Sequence, residues 1–242
     1  MGVYAGPAEY WYNSNEGRTS QSTRIVVQDG LVLNLDAGSS TSYPGSGTSW
    51  SDLSGNSNTG TLTNGPTYSS DDGGSIVFDG TDDYVDCGTS TLSSGDLSVF
   101  SWIYPTSFNN SWNIISTKWF SGSDFHWALK SNLANGTNIR QNLYTTSNSD
   151  IYGTTTFSIN TWYYVGFTLI NGGTLTFYKN AVPDGTSSTV SRTTQSNTLK
   201  IGDARQGYGL IGKIPQVSIY NRALTAEEVQ QNFNALRTRF GI

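Results

Sequence analysis

The segment from Gly209 to Ile242 constrains this chain more than any other part of it. Ile214, Val217 and Ile219 alternate with polar neighbours at the period of a strand. The strand runs through Tyr220-Asn221-Arg222-Ala223-Leu224 into a helix whose first turn is specified several times over. Thr225 is the expected N-cap, and Glu228 three residues on completes a capping box. Leu224 and Val229 stand at the two positions of a hydrophobic staple. Val229, Phe233, Leu236 and Phe240 then form one apolar stripe, Arg237 and Arg239 suit the negative helix end, and Gly241 supplies the stop. A final strand locked to a short amphipathic helix is the expected ending.

Upstream, the pattern is that of an all-β protein. Leu31, Leu33 and Leu35 lie on one strand face, and further strands are expected over 75–78, 84–87, 97–104, 113–118, 125–130, 139–144, 162–170, 174–179 and 199–201. Asn135-Gly136 and Asn171-Gly172-Gly173 read as hairpin turns. Charged residues are only 13% of the chain while aromatic residues are also 13%, which excludes a disordered polyelectrolyte. Residues 1–28 follow no period but carry Tyr4 and the run Tyr10, Trp11, Tyr12. They are expected to form an extended arm anchoring the molecule in an assembly, ahead of one two-sheet domain over 29–242.

Composition also limits function. Thirteen basic against eighteen acidic residues give a net charge of −5 with no basic cluster, which argues against nucleic-acid binding. No apolar run is long enough for a membrane helix. The first residues lack a basic stretch followed by an apolar core, so no secretory signal is read there, and no myristoylation pattern either. Cys87 is alone, so no internal disulfide forms, and the single His126 reads as structural.

Several stretches resemble laminin-G-like, concanavalin A-like jelly-roll domains. They are the closing run G-K-I-x-x-x-x-I-Y-N-R-A-L-T-x-E-E, the loop W-S-D-L-S-G-N-S-N-T-G-T-L at 50–62, S-I-V-F-D-G-T-D-D-Y-V at 75–85, and the strands at 97–105 and 161–168. Two departures stand out: Pro215-Gln216 where an acidic residue is usual, implying an edge or a bulge, and K-N-A-V in place of an Asn-Gly turn. The resemblance implies an antiparallel jelly-roll sandwich with one C-terminal helix. It also implies a structural calcium ion, for which Asp52, Asn56, Asn58 and Asp79 are the candidate ligands, with simple turn formation as the competing reading.

Sugar binding is the best-known use of the resembled family. Trp112, Trp119, Phe120 and Tyr152 are the candidate ligand-binding aromatics, with burial in the core as the alternative. The E-x-D-x-x-E strand of glucanases with this fold is missing, as is a nucleophile elbow, so no catalytic residue is expected. The wording at 43–56 and 219–242 further resembles tailed-phage proteins of marine and cyanobacterial hosts. The expected function is a non-enzymatic virion structural protein, a capsid decoration or tail component in contact with other virion proteins and oligomeric. The alternative is a carbohydrate-binding adhesin or tail-fibre module meeting a cell-surface glycan.

Overall fold

A computed structural model describes residues 25–89, 95–108, 112–118, 125–131, 138–145, 150–192, 197–202 and 208–242. The expected anchor residues Tyr4, Tyr10, Trp11 and Tyr12, the pair Trp119 and Phe120, and the Asn135-Gly136 turn lie outside the described residues. The first strands are β1 (Leu31–Asp36), β2 (Ser49–Trp50), β3 (Gly60–Thr63), β4 (Thr67–Ser69), β5 (Ser75–Asp79) and β6 (Tyr84–Asp86). β7 (Leu97–Ser107), β8 (Trp112–Lys118), β9 (Phe125–Ser131), β10 (Ile139–Thr145) and β11 (Ile151–Tyr152) follow. The last are β12 (Tyr163–Leu169), β13 (Gly173–Lys179), β14 (Val182–Val190), β15 (Lys200–Ile201) and β16 (Ile211–Tyr220), before helix α1 (Ala226–Leu236).

The strands form two antiparallel sheets. The first runs β14-β13-β12-β7-β16-β5-β4, with β1 also pairing to β16; the second runs β11-β10-β9-β8-β15-β6-β3-β2. Their facing sides make the main core, where Leu33, Val99, Val165, Phe167 and Val217 meet Trp127, Leu129, Leu143, Val85 and Ile201. This is the two-sheet sandwich with one C-terminal helix that the sequence implies.

The central strands of the first sheet are buried on both faces, which explains why β7 and β12 lack polar alternation. Its outer face carries Phe100, Trp102, Tyr164, Tyr178 and Tyr220, and α1 covers them with Val229, Phe233 and the following Phe240. Trp102 stacks on Phe240 at 4.3 Å and on Phe233 at 5.5 Å between ring centroids. Gly166 makes room for this layer, since a Cβ there would stand 2.1 Å from the Phe100 ring. The capping box forms in full: Thr225 Oγ1 accepts from the Glu228 amide and Glu228 Oε2 accepts from the Thr225 amide. Glu228 also holds Arg222 at 2.6 Å, and that hydrogen-bonded guanidinium keeps the carboxyl below its usual range.

Two details refine the sequence reading. The Val27 amide donates to Asn232 Oδ1 at 2.7 Å and its side chain is buried, so Val27, with the partly buried Val26, packs in the cluster that α1 covers. Pro215 lies in an interior strand, not at an edge: β16 pairs with β5 over 211–214 and with β1 over 216–220. The register against β7 shifts between Lys213 and Gln216, a bulge that places the missing N–H where one partner strand gives way to the next.

Candidate functional site: an aromatic and charged face of the second sheet

Register on the second sheet brings distant residues together. Trp112 of β8 stands opposite Lys130 of β9, and Lys130 opposite Arg140 of β10. Directly opposed residues share a face. Because Trp127, Leu129 and Leu143 belong to the inner core, this row lies on the outer face. All three residues are half-buried. In the next row Asn142 stands opposite Tyr152 of β11.

These side chains converge on the Lys130 ammonium. It lies 3.7 Å over the Trp112 ring centroid, 5.9 Å from that of Tyr152, and 2.5 Å from Asp150 Oδ2. Burial, and then the Asp150 charge, raise the Tyr152 phenol above its ordinary pKa, so it remains a neutral donor. Asn142 is fully buried; its Nδ2 donates to the Ile151 carbonyl, while its Oδ1 has no partner among the described residues. Two aromatic rings with a carboxylate and an ammonium group beside them are elements that hold a sugar ring by its apolar side and its hydroxyl edges. Of the four aromatics expected from sequence, Trp112 and Tyr152 are thus brought to one site. Lys130, Asp150 and Asn142 were not foreseen, because only the β8–β11 ladder makes them neighbours.

A second cluster sits where the chain crosses from β5 in one sheet to β6 in the other. Asp79, Asp82 and Asp83 place carboxylate oxygens within 4.8 Å of one another, an arrangement that could hold a metal ion. The Asp79 carboxylate caps the turn by accepting from the Thr81 amide, and Asp83 Oδ2 accepts from the Asp79 amide. Asp83 is only 5% exposed. Burial raises its pKa above the ordinary 3.8, and the charges of Asp79 and Asp82 add to this against the lowering Asp79 amide bond. Asp82 and Asp83 are not among the ligands expected from sequence, because a turn-like Asp-Asp pair carries no local sign of burial.

The other expected calcium ligands do something different. Asp52 Oδ1 accepts from the Asn34 and Ser54 amides, and its Oδ2 from the Ser54 hydroxyl and Asn58 amide. Those four bonds occupy the lone pairs a cation would need. Asn56 and Asn58 donate to the carbonyls of Leu31 and Val32. Asp52, Asn56 and Asn58 therefore fold the first loop onto β1, and of the expected set only Asp79 belongs to the carboxylate cluster.

The family model described as the concanavalin A-like lectin/glucanases superfamily, Laminin G 3, matches residues 79–230, more than half of the chain. The chain belongs to this family. Among solved structures, the laminin-G domain resembles domain 4 of AbnA, a GH43 extracellular arabinanase from Geobacillus stearothermophilus, solved in complex with arabinotriose. The TM-score is 0.67 at 17% identity, over 84% of this chain and 97% of that one. It also resembles the binding domain of Paraclostridial Mosquitocidal Protein 1, with TM-score 0.65 and 18% identity over 86% of this chain and 52% of that one. The receptor binding domain of botulinum neurotoxin C/D mosaic serotype gives TM-score 0.63 and 13% identity over 86% of this chain and 51% of that one. The laminin-G domain thus spans about half the length of the latter two. No curated protein matches the sequence significantly.

Proposed function

We propose that this laminin-G domain is a carbohydrate-binding module that holds a glycan against the outer face of its second sheet without cleaving it. The observation that carries the reading is the meeting of Trp112 and Tyr152 about Lys130, beside Asp150 and Asn142. The arabinotriose complex of the AbnA domain supports the same use of the fold. The lack of an E-x-D-x-x-E strand in the sequence supports binding rather than hydrolysis. A structural calcium ion at Asp79, Asp82 and Asp83 belongs to the proposal, bracing the crossing between sheets at the rim. A panel of neutral and acidic oligosaccharides on the full chain tests it: at least one should bind saturably, and Trp112→Ala should weaken that binding.

Display on a phage particle is the setting in which we place this module. The support is the resemblance of residues 43–56 and 219–242 to tailed-phage proteins, together with the aromatic run Tyr10, Trp11, Tyr12 as an anchor to other virion proteins. Mass spectrometry of purified virions should find the chain; its absence from particles would refute this setting and leave the glycan site untouched.

A further inference from the structure

We infer that Arg140 makes this face selective for acidic sugars. The ligand carries a carboxylate or sulfate that the Arg140 guanidinium receives, while an adjoining ring packs beside Trp112 and the Lys130 ammonium that covers one of its faces. The inference rests on the glycan-binding reading and adds the chemical class of the ligand.

The charges on the face lead to it. Lys130 and Arg140 are directly opposed on β9 and β10, so two cations share one side of the sheet. Among the described residues a single carboxylate, Asp150, pairs with either of them, and it is committed to Lys130 at 2.5 Å. Among the described residues no ion pair includes Arg140, and its buried Nε has no hydrogen-bond acceptor. Two other arginines are paired with carboxylates: Arg222 holds Glu228 and Asp29, and Arg239 holds Asp36. A guanidinium carries five donors that match an oxyanion bidentately, and leaving a buried donor unmade is unfavourable. In a chain of net charge −5, an uncommitted cation beside a ring platform stands apart from its surroundings. Trp112, Lys130 and Arg140 span two interstrand spacings, about 10 Å. That separates an aromatic subsite from an anion subsite by a length comparable to two linked sugar rings. With Asp150 paired to Lys130, the remaining charge of this row among the described residues is that of Arg140, suited to one carboxylate or sulfate of the ligand.

The test uses matched pairs on the full chain. Trigalacturonate against its methyl ester varies only the carboxylates, and 3′-sulfolactose against lactose varies only the sulfate, so the two arms separate the possible anions. The expected result is that the acidic member of at least one pair binds about tenfold tighter or more than its neutral counterpart, a preference that shrinks as salt rises. Arg140→Gln should bring the acidic-to-neutral ratio close to one, and Arg140→Lys should leave an intermediate ratio, retaining the charge without the planar fork. Thermal unfolding of both variants verifies that they are folded, and Arg140→Lys carries the comparison should Arg140→Gln be unstable. Equal affinities within both pairs, or a ratio that Arg140→Gln leaves intact, would overturn the inference while the glycan reading stands. Failure to bind any sugar of a mixed neutral and acidic panel would overturn both.

Discussion

The Phe233→Ala substitution measures how far α1 holds the first sheet together. Phe233 is 6% exposed and packs within the outer layer of aromatic residues. Its ring stacks on Trp102 at 5.5 Å with a 14° interplanar angle and meets Tyr164 at 5.9 Å. Truncating a buried Phe costs about 3–5 kcal/mol, the larger values arising where surroundings cannot close the gap. Closure is restrained here at both ends of the helix. The capping box and the Arg222–Glu228 pair fix the start. Past the other end, Arg239 bonds Asp36 and the carbonyls of Asp72 and Gly74. We therefore expect a loss of about 4–5 kcal/mol. For a protein of this size that lowers Tm by roughly 8–20 °C, at about 2–4 °C per kcal/mol. Urea denaturation followed by Trp fluorescence, with Gln230→Ala on the exposed side of α1 as the control, provides the assay. A loss below about 1 kcal/mol at unchanged m-value would refute the claim that α1 seals a second core.

Other perturbations address separate features. Thr225→Ala should cost about 1 kcal/mol by removing one half of the capping box, read from the same urea curves. Calcium at 100 times its dissociation constant should add about 2.7 kcal/mol, raising Tm by roughly 5–10 °C, with EDTA reversing the gain. Asp83→Asn should abolish that response. Asp83 also has a raised folded pKa, so the metal-free protein should lose stability as pH rises from 3.8 through that value, and Asp83→Asn should remove this loss in a pH series of melting curves. Glu228 has the opposite sign: its contribution is present above 4.5 and disappears as pH falls through its lowered folded value. Glu228→Gln should therefore flatten the acid limb of the stability profile.

Strands that obey one clear period were legible in the sequence, and so was the C-terminal helix, because caps and stripes are local signals. β14 was not. Its residues Val182-Pro183-Asp184-Gly185 imitate a turn, yet the buried Asp184 accepts from the Thr155 amide and Gln141 Nε2, tying the strand to elements distant in sequence. The two-residue strands β2 and β11 are too short to show any period. Trp112 and Tyr152 could be named as candidates because ring faces are visible in composition. Their meeting with Lys130 and Asp150 depends on ladder register, which no single segment encodes. Asp52 looked like a metal ligand because Asx-turn residues and cation ligands are the same residue types; only its four hydrogen bonds tell them apart.

Isothermal titration of the full chain with the tightest oligosaccharide from a glycan panel tests the central claim most directly, comparing wild type with Trp112→Ala and Tyr152→Ala. The account predicts saturable binding to the wild type and a loss of about tenfold or more, near 1.4 kcal/mol, in each variant while its melting temperature stays close to that of the wild type. Binding of full strength in both variants, or no binding to any glycan of the panel, would contradict it.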